Sequence, residues 1–172
     1  MVIILLADGF EELEALSPLD ILRRENIEVK TVGIKDKTVT GSHGITVLAD
    51  LSCDEVDLNK VELAIFPGGM PGTLNLDASD FTDKVITAVK TNGGMLAAIC
   101  AAPLIFGRRG LLIGKRAICF PGFENELKGA VISDEGVTVD GNIITAKDFA
   151  HAFEFGQVLA NKFKQFIGEQ QS

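Results

Sequence analysis

The chain has 172 residues, of which 47% are apolar and 23% are charged. This length suits one domain with a single core, and the composition excludes a disordered or fibrous protein. Sixteen Lys and Arg residues against 24 Asp and Glu residues give a net charge of −8. A chain this acidic lacks the basic surface that binds nucleic acid or anionic membranes, so we expect neither as a partner.

The apolar run at the start of the chain is too short to cross a bilayer, because Asp8 interrupts it. It also has no basic region and no small-residue cleavage site of the kind that marks a signal peptide. The three cysteines, at positions 53, 100 and 119, do not make a disulfide framework. We therefore expect a reduced, cytoplasmic protein. Two histidines and no paired cysteine motif argue against a zinc site, and we expect neither metal nor cofactor.

Predicted strands and helices alternate along the chain. Apolar, branched runs and turn signals predict strands at residues 1–6, 28–34, 63–66, 95–99 and 117–120, and hairpins at 38–50 and 137–145. Helical spacing and capping residues predict helices at residues 11–25, 79–92, 101–109 and 149–167.

Apolar side chains recur at helical spacing in the first and last predicted helices. In the first helix these positions are Leu13, Leu16, Leu19 and Leu22. In the last helix they are Phe153, Leu159, Phe163 and Phe166. Pro18 falls inside the first helix and predicts a kink or a restart near Ser17.

Alternating strands and helices predict a three-layer α/β sandwich, with a mostly parallel sheet and helices on both faces. No linker or repeat divides the chain, so we expect a single domain over residues 1–172. In open α/β sheets the functional site lies outside the carboxyl ends of the strands. That rule selects residues 7–14, 67–72 and 100–103, which are distant in sequence and which the fold should bring together.

Cys100 is the most informative candidate residue. It lies where the apolar strand 95–99 ends and a helix begins, between the small residues Ala98 and Ala102. Small neighbours permit the tight turn of a nucleophile elbow, and a helix N-terminus favours a thiolate over a thiol. A free cysteine is also often a small buried hydrophobe, and the local sequence leaves both interpretations open.

The other two segments offer groups that could assist such a nucleophile. Gly68 and Gly69 follow a buried strand, and their N–H groups suit either an oxyanion hole or a simple strand-ending turn. Glu11, Glu12 and Glu14 open the first helix, where acids complement the helix dipole. Glu14 is followed by apolar residues, so it is the acid expected to point inward, where burial would raise its pKa.

The remaining candidates carry weaker signals. The segment 110–115 has one residue too few for a phosphate-binding loop, and no dinucleotide-binding glycine motif follows a strand. Cys53 and Cys119 are interpreted as structural residues, and His43 as a solvated loop residue. His151, at the start of the last helix, is a weak candidate for the site.

Taken together, the three site segments resemble the ThiJ/PfpI superfamily, in the branch that contains the parkinsonism-associated protein deglycase. The resemblance extends from about Val2 to Phe166. Its motifs are ADGFEELE at residues 7–14, FPGGMPG at 66–72, AAICAAP at 97–103, DGNIIT at 140–145 and FEF at 153–155. Each motif is modest, and their order and spacing together are specific.

The resemblance implies a flavodoxin-like sandwich that forms a homodimer. It places the nucleophilic, oxidation-prone cysteine of the superfamily on Cys100. The acidic partner, a protonated glutamate that donates a hydrogen bond to the sulfur, falls on Glu14. The oxyanion hole falls on Gly68 and Gly69, with the N–H of Ala101 as a further donor. Relatives active as proteases or deglycases often carry a histidine near the cysteine, and this chain has Phe120 at that position.

A Cys–Glu dyad without an imidazole argues against peptidase activity. Two functions follow from the resemblance. The first is a cofactor-free glyoxalase or deglycase, in which Cys100 and Glu14 act on small α-oxoaldehydes or their protein adducts. The alternative is an oxidative-stress sensor or chaperone-like protein, in which Cys100 is oxidised to the sulfinate with little turnover.

Overall fold

The computed structural model describes residues 1–171, so Ser172, the last residue of the expected domain, lies outside the described range. The strands are β1 (Val2–Leu6), β2 (Val29–Gly33), β3 (Thr38–Thr40), β4 (Thr46–Leu48), β5 (Leu51–Ser52), β6 (Leu63–Phe66), β7 (Met95–Ile99), β8 (Arg116–Ala117), β9 (Val131–Ile132), β10 (Val137–Asp140) and β11 (Ile143–Ala146). The helices are α1 (Glu12–Arg24), α2 (Gly72–Asp77), α3 (Asp80–Thr91), α4 (Pro103–Arg108) and α5 (Ala152–Gln170).

Seven strands form one sheet in the order β10-β11-β7-β6-β1-β2-β5. All neighbours in it are parallel except β10 and β11, which form the predicted hairpin around Asp140 and Gly141. β1, β6 and β7 are fully buried, as expected for central strands covered on both faces. The predicted mostly parallel α/β sheet is therefore confirmed.

The central strands send alternate side chains into two hydrophobic cores, one on each face of the sheet. Ile4 and Leu6 of β1 pack in a cluster with buried residues of α1 and α5. Ile3 and Leu5 pack in a second cluster with buried residues of α2, α3 and α4. Helices thus cover both faces, which is the three-layer arrangement that the sequence predicts. Among the described residues, no helix is both long and apolar enough to span a membrane.

Several predicted details are wrong. Helix α1 runs through Pro18 without a restart. The predicted strand at 117–120 is only the two-residue β8, which pairs with the unpredicted β9 outside the main sheet. Phe153, expected on the apolar face of the last helix, is 63% exposed, whereas Phe155 is fully buried. Leu13, which was predicted to lie on the apolar face of the first helix, is 52% exposed. The buried face of α1 includes Glu14 and is therefore rotated away from the face that the leucine spacing predicts.

Candidate active site

The three predicted site segments meet at one edge of the sheet. Strands β7, β6 and β1 are neighbours, so the loops that follow them lie side by side. The Glu11 N–H donates to the Gly68 carbonyl at 2.9 Å, and the Gly72 N–H donates to the Gly9 carbonyl at 3.2 Å. The fold therefore brings the first and second segments into direct contact, with Cys100 directly after the adjacent strand.

Cys100 has the strained backbone of a nucleophile elbow. Its φ is +65°, in the left-handed region that residues with a side chain rarely adopt. Two main-chain hydrogen bonds hold this conformation: its N–H donates to the Ala146 carbonyl at 2.9 Å, and its carbonyl accepts from the Phe120 N–H at 2.8 Å. Strain of this kind persists only where the surroundings fix it, and it is common at functional sites. The half-buried Cys100 therefore has the elbow geometry predicted from its small neighbours.

Glu14 is buried beside this cysteine, with an exposed fraction of 1%. Its Oε2 accepts a hydrogen bond from the Gly68 N–H at 2.9 Å. Burial raises the pKa of Glu14 to about 7, and a hydrogen bond with the Cys100 side chain and the one from Gly68 offset part of this rise. Oε1 of the same carboxyl is fully buried and has no partner at regular hydrogen-bond geometry among the described residues.

Gly68 is the residue that allows the acid and the sulfur to approach each other. A Cβ at this position would lie 2.4 Å from Glu14 Oε2 and 2.7 Å from the Cys100 Cβ. No other residue type fits this space without moving one of the two catalytic candidates. Because the Gly68 N–H already binds Glu14, it is not free to bind an oxyanion. Gly68 thus positions the acid, and the structure contradicts its predicted place in the oxyanion hole.

The backbone N–H groups of Gly69 and Ala101 lie near the Cys100 sulfur, and both lower the thiol pKa. Burial and the negative charge of an ionised Glu14 outweigh them and raise the Cys100 pKa above its ordinary value. A helix N-terminus should lower the thiol pKa, so this rise is opposite to the shift expected from the sequence. The helix α4 begins only at Pro103 and has six residues. The helix is therefore not the main source of thiolate stability.

The donor pattern indicates where the proton of a singly ionised Cys100–Glu14 pair lies. Two backbone N–H groups act on the sulfur and lower its pKa, and the Gly68 N–H binds the carboxyl at Oε2. Among the described residues Oε1 receives no N–H donor, so it is the atom on which a proton is best accommodated. A thiolate at Cys100 with a protonated Glu14 uses all three N–H donors and avoids two adjacent negative charges. This arrangement therefore favours a proton on Glu14 when Cys100 is a thiolate.

Glu11 and Glu12 are also enclosed, although only Glu14 was expected to point inward. Glu11 caps α1, its Oε2 accepting from the Glu14 N–H at 2.8 Å. Glu12 is 4% exposed and accepts hydrogen bonds from the N–H groups of His43 and Ile45. The His43 Nδ1 lies 2.9 Å from Glu12 Oε2, so this histidine is paired although its ring is exposed, as expected for a loop residue. Sequence alone gave no sign of this pair, because the partners lie 31 residues apart.

One atom each of Glu11, Glu12 and His43 could hold a metal ion, since these atoms lie within 4.8 Å of one another. The oxygens of Glu12 already accept hydrogen bonds from the 43–45 loop. These bonds account for the burial of this carboxylate without a cation.

Asp148 and His151 form a second acid–histidine pair close to the site. The His151 Nδ1 lies 2.6 Å from Asp148 Oδ1. Asp148 follows β11, whose Ala146 carbonyl accepts the Cys100 N–H, and its charge raises the pKa of Glu14. His151 thus reaches the site only through Asp148. Their three-residue spacing was the available sequence signal for this pair.

The other two cysteines differ from Cys100 in their surroundings. The Cys53 Sγ donates to the Ile34 carbonyl at 3.3 Å, and Cys119 is buried in the apolar core below the sheet edge. Burial raises the pKa of both thiols, to about 12 in the case of Cys119. Neither has a buried carboxyl as a partner. All three cysteines are free thiols.

This α/β sandwich, with a strained cysteine after a central parallel strand and a buried glutamate beside it, belongs to the flavodoxin-like class of folds. Residues 1–162 match the model of the DJ-1/PfpI family, and the chain belongs to that family. The resemblance inferred from the site motifs is thereby confirmed.

Several related proteins match this chain along most of their lengths. The chain is 31% identical to protein dj-1beta of Drosophila melanogaster, over 93% of this chain and 87% of that protein. It is 35% identical to a deglycase of Thermococcus kodakarensis, over 85% of this chain and 89% of that protein. The crystal structure of a DJ-1 superfamily protein from Salmonella typhimurium superposes with a TM-score of 0.89 at 32% identity, covering 95% of this chain and 90% of that one.

Proposed function

We propose that this chain is a cofactor-free enzyme of the glyoxalase or deglycase type, in which Cys100 is the nucleophile and Glu14 the general acid and base. The observation that carries the proposal is the contact between a strained cysteine and a buried carboxyl whose pKa is raised to about 7. A group with a pKa near the working pH can both give and take a proton. Homologues named as deglycases support the same class of chemistry.

The reaction starts with addition of the Cys100 thiolate to the aldehyde carbon of an α-oxoaldehyde. The proton on Glu14 moves to the aldehyde oxygen, giving a hemithioacetal and leaving Glu14 as a carboxylate. The N–H groups of Gly69 and Ala101 lie near the sulfur, which loses its negative charge as the C–S bond forms, so they are the donors proposed to turn to the developing oxyanion.

Glu14 then moves a proton between the two carbons. Its carboxylate takes the C–H proton of the hemithioacetal carbon and returns it to the neighbouring carbon, while the hydroxyl proton of the hemithioacetal passes to the ketone oxygen. The ketone thereby becomes an alcohol and the hemithioacetal becomes a thioester. Water hydrolyses the thioester to a 2-hydroxy acid and frees the thiol. The oxidation of one carbon is balanced by reduction of the next, so no redox cofactor is needed. Methylglyoxal would give lactate, and the same addition to early glycation adducts would remove them from proteins.

Cys100→Ala should abolish lactate formation from methylglyoxal, lowering turnover by at least about 1,000-fold, because no other group near Glu14 forms the covalent adduct. Product is measured by an enzymatic lactate assay on purified protein. Cys53→Ala is the matched control and should keep full activity, since its thiol bonds to the Ile34 carbonyl and lies in the opposite core cluster. Retained turnover in Cys100→Ala would remove this mechanism.

The alternative function is a sensor in which peroxide oxidises Cys100 to a sulfinate. The buried Oε1 of Glu14 favours this function. Among the described residues it has no hydrogen-bond partner, so when protonated it could donate a hydrogen bond to a sulfinate oxygen on Cys100. Mass spectrometry after mild peroxide treatment should then locate two added oxygens on Cys100. Oxidation of Cys53 or Cys119 in preference to Cys100 would reject the sensor.

We also propose that the chain forms a homodimer through a patch made by Leu13, Ile45 and Phe149. These side chains are 52%, 52% and 56% exposed and line a pocket of about 300 Å³ beside Glu11 and Glu12. Adjacent exposed apolar side chains of this size favour a protein interface.

Leu13→Glu should convert the dimer to a monomer, because a buried unpaired charge at an interface costs several kcal/mol. Analytical ultracentrifugation measures the mass. Ile113→Glu is the control at an apolar residue that is 70% exposed outside the patch, and it should leave the mass unchanged. A monomeric wild-type protein would contradict the proposed dimer.

A further inference from the structure

The charged groups that act on Glu14 are the carboxyls of Glu11 and Asp148. Glu11 caps α1 directly at Glu14, and Asp148 lies two residues beyond the β11 carbonyl that binds the Cys100 N–H. Within residues 1–171, none of Glu11, Glu14 and Asp148 forms an ion pair with a lysine or arginine, and their charged partners are histidines only. An anionic substrate would therefore meet two or three carboxyl groups and no permanent cation.

The uncharged part of the site is apolar and exposed. The Phe120 N–H binds the Cys100 carbonyl, so this residue is fixed next to the nucleophile, and its side chain remains 40% exposed. Its ring lies edge-to-face with that of Phe123, with the centroids 6.4 Å apart, which restricts its orientation. Met70 directly follows Gly69, whose N–H acts on the Cys100 sulfur, and it is also 40% exposed.

Phe120 and Met70 thus place two exposed apolar side chains on segments that adjoin Cys100, and together they provide a surface for an apolar substituent. The aromatic face of Phe120 can stack on a planar group, and the flexible thioether of Met70 can adapt to its shape. A carboxylate or phosphate on the substrate would find no matching donor among the acidic neighbours, and burial against apolar side chains would remove its water. The acidic neighbours and the apolar side chains thus both favour a molecule that is uncharged and carries an apolar group.

We infer that this site accepts uncharged aldehydes with an apolar or aromatic substituent and rejects anionic ones, and that Phe120 is the residue that sets the preference. This inference rests on the proposed function for its substrate class, an α-oxoaldehyde. The inference concerns which molecules reach Cys100, so it can be tested by the rate at which the Cys100 thiol is alkylated, without turnover of an aldehyde.

The first experiment compares Cys100 alkylation by iodoacetamide, iodoacetate and N-benzyl iodoacetamide, each rate divided by that of a small free thiolate under the same conditions. We expect at least about 10-fold discrimination against iodoacetate, decreasing as salt is added. N-benzyl iodoacetamide should react at least about 5-fold faster than iodoacetamide. Phe120→Ala should remove the benzyl preference and leave the discrimination against iodoacetate in place. Ile113→Ala, at an exposed apolar residue elsewhere, should change neither ratio.

The second experiment measures kcat/KM for phenylglyoxal, methylglyoxal and the anionic glyoxylate. Phe120→Ala should lower the ratio of phenylglyoxal to methylglyoxal by at least about 5-fold, mainly through KM, and wild type should not use glyoxylate. Equal normalised alkylation rates for all three reagents, or a benzyl preference unaffected by Phe120→Ala, would overturn the inference. Selective alkylation in a protein that turns over no aldehyde would instead reject the proposed function and leave the recognition of apolar, uncharged groups standing.

Discussion

Glu14→Gln should slow Cys100 alkylation at pH 7 by about 10-fold and lower aldehyde turnover by at least about 100-fold. Burial raises the pKa of Glu14 to about 7, and we take this value as the point at which the coupled Cys100–Glu14 pair loses its first proton. In the proposed mechanism this step leaves a thiolate on Cys100 and the remaining proton on Glu14. Glutamine has no proton to transfer, and it leaves the sulfur as a buried thiol. The alkylation profile of wild type should therefore bend near pH 7, and that of the variant should bend only at higher pH.

The measurement is the rate of iodoacetamide reaction from acid to alkaline pH, with Cys100→Ala to subtract the other thiols. Two profiles that both bend at the free-thiol value of about 8.5 would show that the carboxyl does not control the nucleophile. In that case neither the enzyme nor the sensor would have a poised cysteine.

The same substitution should stabilise the protein at neutral and alkaline pH. The Glu14 pKa is about 7 in the folded protein against 4.5 for an ordinary glutamate, so the folded state binds this proton more tightly than the unfolded chain. The resulting stability is fully present below pH 4.5 and is lost as pH rises through 7, amounting to about 3 kcal/mol. Glu14→Gln removes this loss, so the variant should be more stable than wild type above pH 7. Its free energy of unfolding should also change less between pH 4.5 and pH 7 than that of wild type.

Urea unfolding across this pH range gives the free energy of unfolding of both proteins. Glu12→Gln is the matched control with the opposite sign. Burial raises the pKa of Glu12, but the hydrogen bonds from His43 and from backbone N–H groups outweigh it and lower the pKa overall. Its carboxylate therefore stabilises the fold above its ordinary pKa, and Glu12→Gln should destabilise the protein at pH 7. Parallel stability curves for wild type and Glu14→Gln would contradict the raised pKa.

Gly68→Ala is the second substitution with a large expected effect. The added methyl group would lie 2.4 Å from Glu14 Oε2, 2.7 Å from the Cys100 Cβ and 2.9 Å from the Ile99 carbonyl oxygen. The carbonyl belongs to a central strand and cannot move away, so the acid and the cysteine must separate. We expect a loss of about 1–3 kcal/mol in stability and at least about 100-fold in turnover.

Gly168→Ala is its control, because within residues 1–171 a Cβ at that helical position would have no close contact with atoms beyond the backbone of its own helix. Alanine is favoured over glycine in a helix, so this variant should keep full activity and equal or higher stability. Thermal unfolding and lactate formation measure both quantities. A Gly68→Ala protein with normal turnover would mean that the close approach of Glu14 to Cys100 is not needed for catalysis.

The local sequence was sufficient to predict the sheet, the elbow and the inward-pointing acid. Buried parallel strands appear as continuous apolar runs, and a small-residue frame around Cys100 permits only a tight turn. The rule that loops meet at the carboxyl ends of parallel strands then selected the three segments of the site. The family followed from the order of the same segments.

The tertiary structure decided the details that depend on contacts between distant residues. Whether the Gly68 N–H binds an oxyanion or Glu14 depends on the path of another loop, which the Pro67-Gly68-Gly69 turn does not encode. The buried Glu12 carboxylate is paired with His43, and the pKa of Cys100 is raised by burial and by the charge of Glu14. Electrostatic interactions and hydrogen bonds act through space, whereas hydrophobic periodicity is a property of neighbouring residues in the chain. The sequence therefore determined where Cys100 and Glu14 lie in the fold, and the folded structure determined the contacts and charges that set their pKa values.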